Sequence, residues 1–201
     1  MRTNYVLIDY ENVQPEVLPG LDADHFKVLL FVGANQAKLS FDIVSAMQKL
    51  GTRAEYIKIA GNGSNALDFH IAFYIGHLAA QDQTGYFHII SKDTGFDPLI
   101  QHLKSKKVAV VRSKAVEDIP LLKAANSKSI PEKVAVVVAN LKQRGASKPR
   151  TLKTLSSTIS SLFQKQLSED ELTSLLAELQ TRGFILLNES KVSYALPEGD
   201  A

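Results

Sequence analysis

Along the first half of the chain the spacing of apolar and polar residues changes period repeatedly. Short runs, NYVLID (Asn4 to Asp9), FKVLLFV (Phe26 to Val32), AEYIKI (Ala54 to Ile59), YFHIIS (Tyr86 to Ser91) and KVAVVR (Lys107 to Arg112), are rich in β-branched and aromatic residues. Their near-continuous apolar character predicts strands covered on both faces. Between them, KLSFDIVSAMQKLG (Lys38 to Gly51) carries an apolar stripe closed by glycine, and NALDFHIAFYIGHLAAQ (Asn65 to Gln81) reads as a largely buried helix. Asp97 followed by Pro98 predicts a shorter helix, because aspartate caps helix N-termini and proline suits the first helical position. The alternation predicts an α/β layer fold around a mainly parallel sheet.

The second half has a different pattern. The segment Ser113 to Ser129 reads as a last docking turn and a linker rich in Ser, Ala, Asn and Lys. Beyond it, Ile130 to Gly145, Thr151 to Phe163 and Ser168 to Gly183 have helical period, and Ser168 with Glu171 forms a capping-box pattern. FILLN and KVSYALP then read as two short strands. Three helices and a terminal hairpin describe a small winged-helix domain, a variant of the helix-turn-helix. The expected organisation is therefore one α/β domain over 1–125, then a linker and winged helix over 126–201.

Composition narrows the chemistry. With 45% apolar and 22% charged residues the chain is globular. The absence of cysteine excludes disulfides, thiolate zinc sites and a cysteine nucleophile. No apolar run long enough to span a bilayer and no signal-peptide pattern occurs, which makes a cytoplasmic protein without membrane association the default. The net charge is only +2, but its distribution is uneven. Residues 1–127 hold 13 basic and 13 acidic side chains, whereas Lys133 to Ser168 holds Lys133, Lys142, Arg144, Lys148, Arg150, Lys153 and Lys165 with no acid. That asymmetry suits a polyanionic partner or, alternatively, a solvated basic face.

Carboxylates gather at predicted strand ends. Asp9 closes the first strand, with Glu11 and Asn12 just beyond; Ser91 closes the fourth, with Asp93 and Asp97 following; Asp68 lies in the first turn after the third. Ligands of open parallel sheets bind outside the carboxyl ends, where strand order reverses. With the order 3-2-1-4-5, Asp9 and Asp93 face one crevice. Crowded carboxylates repel one another unless a cation neutralises them, and Mg²⁺ or Mn²⁺ suits such oxygen ligands and serves phosphodiester hydrolysis. Each residue also has a plain structural role open to it. Asp97 can be a helix cap, Asp93 the centre of an Asx-turn, Asp68 a partner of its helix dipole and Asn12 a cap, while Glu11 can simply face solvent.

Other motifs carry less. Gly61, Gly63 and Ala66 have dinucleotide-loop spacing but follow the third strand, so their bare amides suit a substrate phosphate or a flexible turn. A phospho-acceptor receiver domain would need an aspartate ending the third strand, where Ile57, Lys58 and Ile59 stand. His70, His77, His88 and His102 invite a zinc reading, but His70 and His77 stand seven apart on a helix without a neighbouring acid at ligand spacing, so packed or surface histidines are the expectation. Lys92, Lys104, Lys106, Lys107, Arg112 and Lys114 flank the acidic edge and could hold a substrate backbone, as could Lys148, Arg150 and Lys153 in the second domain.

The segments VLIDYENVQ, NALDFHIA and IISKDTGFDPLI resemble, in order and spacing, the signature segments of NYN domains, a branch of the PIN-like nuclease superfamily. The resemblance implies a Rossmann-like sheet with an acidic metal site and hydrolysis of RNA, with DNA also possible, using Mg²⁺ or Mn²⁺. By position it makes Asp9, Asn12, Asp68 and Asp93 catalytic, with Ser91 in the serine position of its motif. Many NYN domains carry a second acid two residues after the first in this motif; here Gly95 stands there and Asp97 is the next acid. The second half resembles LOTUS or OST-HTH modules, which implies RNA binding. A metal-dependent endoribonuclease is the expectation, with Asp9, Asp68, Asp93 and Asp97 as metal ligands, against a catalytically inactive RNA-binding adaptor.

Overall fold

In the computed structural model, which describes residues 2–127 and 129–197, the apolar runs become strands β1 (Asn4–Asp9), β2 (Phe26–Val32), β3 (Ala54–Lys58), β4 (Tyr86–Ile90) and β5 (Ala109–Ser113). They pair in parallel in the order β3-β2-β1-β4-β5, as the sequence predicts. Every residue of the central β1 is buried, whereas β3 at one edge leaves Glu55, Tyr56 and Lys58 exposed.

Helices α1 (Phe41–Leu50), α2 (Ala66–Gln81) and α3 (Phe96–Ser105) fill the crossovers. Strand residues alternate between faces. Tyr5, Leu7, Phe31, Phe87 and Ile89 join Ile71 and Ile75 of α2 and Ile100 of α3 in one cluster, so α2 and α3 cover that face. Val6, Ile8, Val28, Leu30 and Ile90 are at most 1% exposed on the other, where right-handed crossover places α1. The same parity decides the site. Asp9 continues the series of Tyr5 and Leu7, and Ser91 that of Phe87 and Ile89, so both side chains emerge toward α2.

Two details differ from expectation. α3 begins at Phe96 with Gly95 as its cap, so Asp97 lies inside the first turn; its carboxylate is drawn to Arg112 instead of the free helix amides. The supposed linker contains a short 3-10 turn, Val116–Asp118, and helix α4 (Pro120–Asn126). Two compact units, Met1–Ile119 and Pro120–Ala201, follow. The division precedes the expected one because α4 contributes Ala124 to the core of the second unit.

That unit holds α5 (Ile130–Gln143), α6 (Leu152–Leu162), α7 (Glu169–Thr181) and an antiparallel hairpin, β6 (Ile185–Asn188) and β7 (Lys191–Tyr194). Its core includes Val134, Leu141, Leu155, Ile159, Leu175, Leu179 and Ile185. Three capping boxes, Ser129 with Glu132, Thr151 with Thr154 and Ser168 with Glu171, start its longer helices. An isolated antiparallel bridge joins Thr151 to Lys191. Among the described residues no helix is long and apolar enough to cross a membrane.

Ile71 is fully buried where α2 covers the sheet. Ile71→Ala should therefore cost about 2–5 kcal/mol, read as a lower urea midpoint with an unchanged slope.

Candidate active site

The site begins at Asp9, a carboxylate only 1% exposed at the end of the central strand. Burying an ionised group is costly unless hydrogen bonds replace its water. Here three do. The Ser91 hydroxyl donates to Oδ2 at 2.8 Å, the Asn12 side-chain amide to the same oxygen at 2.7 Å, and the Asn12 backbone N–H to Oδ1 at 3.2 Å. Asn12 is placed for this by the tight turn after β1, in which the Asn12 and Val13 amides donate to the Asp9 carbonyl. Ser91 thus binds within the protein instead of waiting for substrate.

Ser91 also ties in the next acid. Its Oγ accepts from the Asp93 amide at 3.1 Å, and Asp93 Oδ1 accepts from the Gly95 amide at 2.7 Å. The Asx-turn reading of Asp93 is therefore realised, and one carboxylate oxygen remains outside that bond. A Cβ at Gly95 would stand 3.1 Å from Asp93 Oδ1, a tight contact that the carboxylate would have to ease by a small shift.

Asp68 overhangs these groups from the first turn of α2 and is half-buried. Its carboxyl is pushed up from 3.8 to about 6, first by burial and then by the negative charges of Asp9, Asp93 and Glu11. The charges of Asp9, Asp93 and Glu11 thus act on Asp68, whereas Asp97 is held elsewhere. The acids do not converge on one point: among the described residues no group of three histidine or acidic side chains forms a ready-made ligand set. Repulsion is felt farther than coordination reaches, so both observations hold together.

Asp97 has a different partner. Arg112 holds it through two parallel bonds, Nε to Oδ1 at 2.9 Å and an Nη to Oδ2 at 3.0 Å, and sends a third bond to the Ser91 carbonyl at 3.3 Å. With a side chain 13% exposed, Arg112 clamps the end of β4 to the first turn of α3. The expected ligand Asp97 and the expected substrate contact Arg112 neutralise each other.

Glu11 was the residue least legible in the sequence. It is exposed, yet its carboxylate lies over Gly33, where a Cβ would stand 1.7 Å from Oε1. The absent side chain beyond β2 leaves room for an acid two positions past Asp9. Its only sequence signal was that spacing. Of the other expected contacts, Lys92, Lys114, Gly61 and Gly63 are exposed, with Gly61 at φ 85°, a backbone region that favours glycine. Lys148, Arg150 and Lys153 belong to the second unit. The histidines stay out of the chemistry: His70 Nδ1 bonds the Ala66 carbonyl at 2.7 Å, and His88 lies fully buried against Asn4.

Carboxylates at the carboxyl ends of two adjoining strands of a parallel five-stranded sheet, with another overhanging from a helix, define an α/β fold of nuclease type. Residues 3–113 match the family model of the PIN domain, and the chain belongs to that family. No curated protein matches the chain.

The raised pKa of Asp68 has a measurable consequence. The folded protein holds this proton more tightly than the unfolded chain, so the proton stabilises folding and that gain fades between about pH 4 and 6. His88 works in the opposite sense, because burial holds its imidazole neutral with a pKa pushed down to about 3. Subtracting the unfolding free energy of Asp68→Asn, measured without metal, cancels His88. The difference should decline as pH rises through about 6, and Glu11→Gln should move the decline to lower pH. A flat difference would mean that Asp68 titrates normally.

Proposed function

We propose that this chain is a metal-dependent endoribonuclease of the NYN branch, with a LOTUS or OST-HTH-like winged helix over the second unit that recruits RNA. The carrying observation is the cluster itself: Asp68 is pushed up to about 6 first by burial and then by the negative charges of Asp9, Asp93 and Glu11. Such a site favours a hard divalent cation, because two positive charges remove the mutual repulsion.

The donor set suits Mg²⁺ or Mn²⁺ in its chemistry, although Asp9, Asp68 and Asp93 do not stand at ligand spacing by themselves. It is all oxygen, and Asp9 already has its outward hydrogen bonds filled by Asn12 and Ser91, the kind of support that orients a ligating carboxylate. Asp9, Asp68 and Asp93 would hold the ion, with Glu11 in reach of the same charge. When bound, the ion supplies activated water and offsets negative charge on the phosphate. Asn12 fixes the orientation of Asp9. Ser91 couples Asp9 to the Asp93 turn. Asp97 serves with Arg112 as the brace behind that turn. Lys92 and Lys114 are exposed cations available to the substrate backbone.

Asp93→Asn should lower manganese-dependent cleavage of labelled single-stranded RNA at least about 100-fold, about 2.7 kcal/mol of transition-state stabilisation, while the unfolding midpoint stays within about 0.5 kcal/mol of the parent. Cleavage at the parental rate in that purified variant would sink the proposal. RNA binding in EDTA without cleavage by the parent in either metal would make the chain the adaptor instead.

A further inference from the structure

We infer that the second unit grips RNA by its phosphate backbone through the edge formed by the α5–α6 loop and β7, and that α7 takes no part in reading the nucleic acid. The inference deepens the proposed function and rests on its RNA-recruiting part. A helix-turn-helix ordinarily lays its last helix in a groove. In this unit that helix is α7, which carries Glu169, Asp170, Glu171 and Glu178 and no base; Arg182 just beyond is taken by Glu178. Facing a polyanion, α7 is repelled.

The cations collect elsewhere. Two backbone hydrogen bonds, the Leu152 amide on the Ser190 carbonyl at 2.9 Å and the Val192 amide on the Arg150 carbonyl at 3.0 Å, make the Thr151 to Lys191 bridge and join the start of α6 to β7. Tyr194 adds a third tie, its hydroxyl donating to the Pro149 carbonyl at 2.6 Å, with the Lys148 ammonium 6.0 Å from its ring centre. Arg144 lies close enough to act on the Tyr194 hydroxyl. Arg144, Lys148, Arg150, Lys153 and Lys191 are thereby presented together, although the last is remote in sequence. Among the described residues none of the five is in an ion pair with a carboxylate. An edge of cations outside ion pairs, with no acid between Lys133 and Ser168, complements phosphates.

The test measures binding of labelled single-stranded RNA to the full chain in EDTA across a salt series. Arg150→Gln with Lys191→Gln should weaken binding about tenfold or more at low salt and reduce the slope of log affinity against log salt by about 1.4, since each lost phosphate contact removes about 0.7. The charge-keeping pair Arg150→Lys with Lys191→Arg should restore both. Thr173→Ala with Ser174→Ala, exposed on α7, should change neither. An unaltered slope in the glutamine pair, or weakened binding from the α7 pair, overturns the inference. The same titration on Asp93→Asn separates the two readings: the expected slopes without any cleavage by the parent would defeat the nuclease alone, whereas cleavage with an unaltered slope would defeat this edge alone.

Discussion

The buried charge of Asp9 is the constraint on which the rest of the first unit depends. A carboxylate sealed at the end of a central strand must be met by donors from its surroundings, and each charge-assisted bond contributes about 1.5–3 kcal/mol. Those donors come from two segments far apart in sequence. Asn12 requires the tight turn after β1, and Ser91 requires β4 to lie beside β1 in the observed register. The bond from Ser91 to Asp9 therefore joins strand pairing to site assembly. The next bond, from the Asp93 amide to Ser91, transmits that placement to the turn before α3.

Balance around Asp9 does not extend to its neighbours. Asp68, Asp93 and Glu11 add further negative charge, and at Asp68 burial and these neighbours together raise the carboxyl pKa. The nearby cation that the fold does supply, Arg112, is committed to Asp97 and to the Ser91 carbonyl. It steadies the frame and leaves the interior of the cluster negative. Committing Arg112 to the scaffold leaves the cluster without that guanidinium, so burial and like charge act together on Asp68.

Much of this was legible in the residues because it follows from periodicity. Near-continuous apolar runs required a doubly covered parallel sheet, and the alternation within β1 and β4 sent Asp9 and Ser91 to one face. What escaped was decided by contacts between remote side chains. Asp97 next to Pro98 reads equally as a cap or a ligand, and only the proximity of β5 shows that a guanidinium claims it. The helix α4 was hidden by its brevity and by polar neighbours that resemble a linker, since its reason to fold is tertiary packing of Ala124. On the second unit the basic residues were visible, but the gathering of Lys191 with Arg150 depends on a bridge that no local pattern encodes.

Glycine in the fourth-strand motif bears on how many acids the site holds. Where many NYN domains resembled by this chain place a second carboxylate, Gly95 supplies a backbone amide that holds Asp93 Oδ1, and a side chain there would crowd that oxygen. Asp97 of the same turn faces Arg112. The further charge near Asp68 is that of Glu11, whose carboxylate occupies the space over Gly33. Two glycines thus act at one site: the Gly95 amide orients Asp93, and the bare Gly33 leaves open the space that the Glu11 carboxylate takes up. Asp9 and Glu11 both come from the end of β1 and the turn after it, whereas the β4 turn supplies Asp93 alone, so the site is anchored more heavily on the strand that also carries the buried charge.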